Sequence, residues 1–206
     1  MTIGSLGLMR PLREVLRDAG SADHQQLDQI FAAAPQRAGD YARLLQLLHS
    51  LHTAADPLLQ AWVATSSMAP HVVIPTRSTA FARDLALLGY SPRPPIALVE
   101  LPHRPGGVVT DPAGLALLYV VAGSSIGARV VLASLGDDID AAARLGLSEG
   151  ASPTSAALWR QTLSVLSGPV DDSFAGPAAA ACQLVFRSLL ALAGRLTGTR
   201  GDLRAR

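Results

Sequence analysis

The chain contains no lysine: all 17 of its basic residues are arginine, set against 16 acidic ones. Schiff-base and lysine-base chemistry is thereby excluded. A formal net charge of +1 supplies no field of either sign to recruit nucleic acid or an acidic membrane surface. Cysteine is almost absent as well. Cys182 alone can form neither an internal disulfide nor a multi-cysteine zinc site, and this composition fits a reducing cytoplasm. Aromatic residues make up 4% of the chain, and no β-branched or aromatic run alternates at period two. Extended sheet is therefore not expected, and Val72 to Ile74, bracketed by Pro70 and Pro75, is the nearest approach to a strand. Hydrolase and metalloprotease chemistry is not expected either, and no His-Glu-x-x-His occurs. The N-terminal stretch does not read as a secretory signal, because Arg10, Arg13, Glu14 and Arg17 interrupt it early. The most membrane-like run, Leu115 to Leu132, is broken by Ser124, Ser125 and Arg129, so it reads as a buried helix and no membrane span is expected.

What is present is alanine and leucine at helical spacing, within 49% hydrophobic content. The expected fold class is all-α, in one domain over 11–196, with an arm at 1–10 and a tail at 197–206. A first helix should begin near Pro11, bend at Gly20 and close at Pro35 and Gly39. A second, capped by Asp40, should carry Pro57 as a kink before Trp62. A short helix should stop at Gly89, and the Pro- and Gly-rich Ser91 to Pro112 should be a loop. A long apolar helix follows from Asp111, as N-cap, to Leu135. Further helices are expected near Asp137 to Leu145, Thr154 to Leu166 and Pro177 to Leu196.

Three features stand out against that background. His24 lies in the first helix, in the setting Leu12-Arg13 … His24-Gln-Gln-Leu27-Asp28. Tyr119-Val-Val-Ala-Gly123-Ser-Ser-Ile-Gly127-Ala128 places two glycines inside an apolar helix, where each costs about 1 kcal/mol relative to alanine. Close helix packing and a flat ligand lying against bare backbone are both adequate reasons for that cost. Phe186-Arg187 sets a permanent cation in the last apolar helix, either reaching to solvent or gripping a carboxylate. His49 and His52 share a face, with no acidic or third ligand expected beside them, and His71 and His103 fall in loops.

In order and spacing these features resemble haem oxygenase, in particular the bacterial branch found beside bacteriophytochromes, over roughly residues 10–195. The resemblance implies that His24 ligates haem iron and that Gly123, Ser124 and Gly127 line the opposite, catalytic face. It further implies that Tyr119 and Ala128 contact the haem, that Arg17 and Arg187 hold its propionates, and that Phe186 packs at the ring edge. Haem would be both substrate and prosthetic group, opened to biliverdin with release of carbon monoxide and iron. The partners implied are O2, an electron donor such as ferredoxin or a reductase, and a bacteriophytochrome pathway. The chain departs from that branch at Ala122, where glutamate is common, at Ala128, where a second glycine is common, and at Ser124, where some relatives carry aspartate. Ala128 either crowds the catalytic face, with altered regiospecificity or a slower reaction, or has little effect, and a haem-binding relative without turnover and a helical interaction module stay open as alternatives.

Overall fold

The computed structural model describes residues 9–31, 35–70 and 73–198, so His71, Val72 and most of the expected arm and tail lie outside the described residues. A two-residue strand, β1 (Arg10–Pro11), leads into α1 (Leu12–Ile30), α2 (Ala38–Val63), α3 (Ser78–Leu87) and α4 (Asp111–Ser134). A 3₁₀ turn (Ala141–Arg144) precedes α5 (Leu145–Gly150), α6 (Pro153–Val165), the short β2 (Pro169–Val170) and α7 (Asp172–Gly198). The all-α expectation holds. β1 and β2 form a single antiparallel pair, Arg10 opposite Val170.

α4 is the centre of the molecule because it is apolar on nearly every side. Leu115, Leu117, Leu118 and Val121 are all buried although they point in different directions, which a helix tolerates only when neighbours surround it. α7, α2, α5 and α6 supply those neighbours. By length and composition alone α4 and α7 would each suffice to cross a membrane. In this fold they are the packed central pair. Gly114 explains how close α2 comes, since a Cβ there would stand 2.4 Å from the Trp62 ring. A second cluster, built on Tyr41, Leu45, Phe81, Leu85 and Leu147, closes the far end between α2, α3 and α5.

Several boundaries differ from the sequence reading. α1 runs through Gly20 without interruption; the missing side chain there makes room for Phe186, whose ring would lie 2.6 Å from a Cβ. Gly39 and Asp40 belong to the first turn of α2, where Asp40 pairs with Arg43 at 2.5 Å instead of capping. Pro57 sits inside α2 without ending it. Thr110 occupies the cap position of α4, and the Asp111 carboxylate accepts from Trp62 Nε1 at 2.9 Å and Ser66 Oγ at 2.5 Å and pairs with Arg104. α7 starts five residues ahead of Pro177, because the Asp171 carboxylate accepts from the Phe174 amide at 3.1 Å and satisfies the first turn. Gly89, at φ +76°, ends α3 as its composition suggests.

Candidate functional site

α1 and α4 each pack along α7 and have little direct contact with one another. Their relative heights follow from two anchor points. Near the start of α1, Arg17 and Asp18 are close enough to act electrostatically on the Tyr119 hydroxyl of α4, whose pKa burial raises. Beyond its end, Gln36 Nε2 donates to the Ser134 carbonyl at 3.2 Å and the Gly136 amide donates to Pro35 at 3.1 Å. These anchors give the two helices the same sense, with His24 and the Gly123 to Gly127 stretch both lying between them.

His24 is exposed, and its ring lies edge-on to Phe186 with centroids 5.7 Å apart. Nδ1 is 2.9 Å from the Asp28 carboxylate one turn on. That pairing orients the imidazole and favours the tautomer with its proton on Nδ1, leaving the Nε2 lone pair free for a metal. Phe186 itself is buried and fixed in the Gly20 notch, so it acts as a rigid backing for the imidazole.

Across from α1, α4 presents Tyr119, Gly123, Gly127 and Val130 on adjoining turns. A Cβ at Gly127 would meet nothing within 4 Å, and one at Gly123 would only touch the edge of Trp159 at 3.6 Å. Neither glycine is needed for helix packing. Ile126 and Val130, 48% and 66% exposed, continue this apolar surface. Trp159 of α6 backs it, stacked at 5.8 Å against Tyr119. An imidazole with a free Nε2 on one side and bare helix backbone flanked by uncovered apolar side chains on the other match the two faces of a flat, apolar, metal-bearing ligand such as haem.

Not every expected residue comes to this place. Ala128 is 4% exposed and faces the second core cluster, packed towards Gly150, on the opposite side of α4 from the glycine face. Of the two readings of its methyl, this placement supports little effect on a ligand, and Ala122, 1% exposed, also points inward. Ser124 likewise turns to the back: its hydroxyl donates to the Val121 carbonyl at 2.7 Å and accepts from Arg77 Nη2 at 2.8 Å. Arg187 is exposed, donates to Gln183, and lines a separate groove of about 480 Å³ with Glu100, Pro102 and Leu184. Arg17 is exposed and bonded to Asp18 at 3.1 Å.

The back of α4 holds what the sequence reading missed. His52 is fully buried, with Nδ1 3.1 Å from Asp56, the acidic neighbour overlooked at i+4. Burial lowers the His52 pKa to about 4. Among the described residues no group of three His, Cys, Asp or Glu side chains is arranged to hold a metal. Cys182 is a buried apolar filler as expected, its thiol pushed up to about 12 by burial. The Gly-x-Ser-x-Gly spacing of a hydrolase nucleophile turn, expected to be absent, occurs at Gly123 to Gly127 and at Gly146 to Gly150. Neither sits on the strand-to-helix turn that such a nucleophile needs, and Ser125 Oγ donates back to the Ala122 carbonyl at 2.6 Å.

No family model and no curated protein matches the chain. Among solved structures, the NO- and CO-bound haem oxygenase of Neisseria meningitidis is similar, with a TM-score of 0.69 at 20% identity, covering 97% of each chain. The fold is that of haem oxygenase. The likeness spans nearly the whole chain, so both helices that flank the His24 site belong to the haem oxygenase fold and not to an appended element.

Proposed function

We propose that this protein is a cytoplasmic haem oxygenase, opening haem to biliverdin with release of carbon monoxide and iron. The observation that carries the reading is the occurrence, within this fold, of an exposed His24 oriented by Asp28 on α1 and a side-chain-free stretch of α4, both lying between the same two anchor points. Haem would supply the iron at which O2 is activated and is itself the molecule consumed. His24 Nε2 would hold the iron, and Asp28 would fix the tautomer that leaves that nitrogen free. Gly123 and Gly127 let the α4 backbone approach the other face, while Tyr119, Ile126, Val130 and Trp159 keep bulk water from it. Arg17, within electrostatic reach of the Tyr119 hydroxyl, is the cation we assign to a propionate, whereas Arg187 faces the separate groove. Electrons come from a ferredoxin or reductase, and a bacteriophytochrome pathway is one consumer of the product.

The inward placement of Ala122 and Ala128 removes the reason to suspect a blocked catalytic face, which favours turnover over mere haem binding. Titration with hemin should produce a Soret band that shifts or collapses in His24→Ala. Adding ascorbate or reduced ferredoxin in air should replace that band with biliverdin absorption. A wild-type spectrum with no Soret band, or one that His24→Ala leaves unchanged, sinks the ligand assignment. A stable ferrous complex that never yields biliverdin sinks the oxygenase.

A further inference from the structure

Among the described residues, Arg77 is the arginine that is buried, at 3% exposure. It leaves the loop just before α3 and crosses to the back of α4, where Nη2 lies 2.8 Å from Ser124 Oγ and 3.3 Å from the Val121 carbonyl. The surroundings are shaped to admit it. Gly150 of α5 lacks a Cβ that would stand 2.4 Å from Nη1, and the guanidinium lies 5.9 Å from the centre of the Phe81 ring. Asp56 and Glu149 support its charge from a distance, against a burial that lowers its pKa to about 10. It stays protonated at neutral pH.

A buried cation stabilised only at a distance is a poor way to fill a core, since apolar residues of similar volume usually do so at lower cost. What Arg77 provides is position. The stretch it supports is the weakest of α4: two glycines disfavour helix, and Ser124 and Ser125 both donate back to carbonyls of the preceding turn. Through Ser124 and the Val121 carbonyl, Arg77 grips that turn from the flank next to Gly123 and Gly127.

We infer that Arg77 is a positioning residue, a strut that fixes the height and stiffness of the Gly123 to Gly127 stretch and so sets how closely a planar ligand approaches the α4 backbone. The identity of that ligand rests on the haem reading, whereas the strut does not. Amide hydrogen exchange on the ligand-free protein tests the strut directly. In Arg77→Met, amides of residues 122–128 should exchange roughly tenfold faster or more, while those of 185–192 in α7 stay within about twofold. Arg77→Lys, which keeps a charge but not the planar Nη2 group that donates to both acceptors, should fall between Met and wild type. Unchanged exchange in 122–128, or an equal increase throughout the chain, overturns the inference. Should Arg77→Met fail to fold, Ser124→Ala removes the nearest acceptor and leaves the cation in place. It should loosen the same seven residues, and unaltered exchange there overturns the strut equally. In hemin titrations Arg77→Met should show a broadened Soret band and weaker binding. A wild-type protein that ignores hemin would defeat the haem reading while leaving the exchange result to decide the role of Arg77.

Discussion

The two sides of α4 treat polarity in opposite ways. Facing α1, the polar groups are exposed and locally paired: His24 with Asp28, Arg17 with Asp18. Behind α4, His52, Asp56 and Arg77 are buried, and His52 Nε2 and Asp56 Oδ2 have no partner. Surface pairs of the first kind contribute little to stability, so those residues are free to serve a ligand. Buried groups of the second kind cannot be altered without changing the core. The front is where binding is built, and the back holds the front in place.

The sharpest way to separate the two sides is acid. His52 has a folded-state pKa of about 4, below the 6.5 of an unfolded histidine, so on acidification the unfolded chain takes up the proton first. Its contribution is intact above pH 6.5 and declines between about pH 6.5 and 4, by on the order of 3 kcal/mol in all. Urea melts across that range should show the slope, and His52→Gln should flatten it; parallel slopes in the two proteins would show that the back of α4 is not acid-sensitive through His52. Next in size is Gly20→Ala, which pushes a methyl into the Phe186 ring and should lower stability by about 2 kcal/mol in thermal melts. A Tm equal to wild type would mean that Phe186 is not wedged against α1.

Gly127→Ala should act in the reverse direction. Open space surrounds that position, so the helix gains up to about 1 kcal/mol while hemin binding falls, because the methyl occupies the ligand's approach. A variant that is stabilised and binds hemin as before would move the ligand away from this face. The smallest effect on stability belongs to His24→Ala, whose Tm should match wild type even as its hemin spectrum changes. A large drop in Tm would place His24 among the structural residues.

Much of this architecture was legible from periodicity. α4 could be recognised by its long, mostly apolar run after Asp111-Pro112, and the end of α3 by Gly89. What periodicity missed were effects of residues far away in sequence. Gly20 reads as a bend until Phe186 is known to occupy its notch, and Ala128 reads as a ligand contact until the direction of each α4 face is set by α3 and α5. Arg77 carried no local signal, since an arginine before a helix is ordinarily a solvated residue. His52 and Asp56, four apart, were the one visible hint of the buried cluster. For the candidate site, His24 and the two glycines were found by their setting in the chain, and only the tertiary structure set α1 and α4 along the same partner helix, α7.

The small pairing of β1 with β2 bears on the order in which the molecule can assemble. It joins the start of α1 to the approach to α7, and just beyond it Cys182 Sγ meets the Leu16 carbonyl across a separation of 166 residues. Loop-closure entropy makes contacts of such long range unfavourable until the intervening chain has condensed. α2 packs against both α3 and α4, the helices that follow it in sequence, and can pair with them without waiting for α1. The helix that carries His24 is therefore the piece whose docking depends most on everything else being in place. A nascent or partly melted chain would present the glycine face before it presents the imidazole.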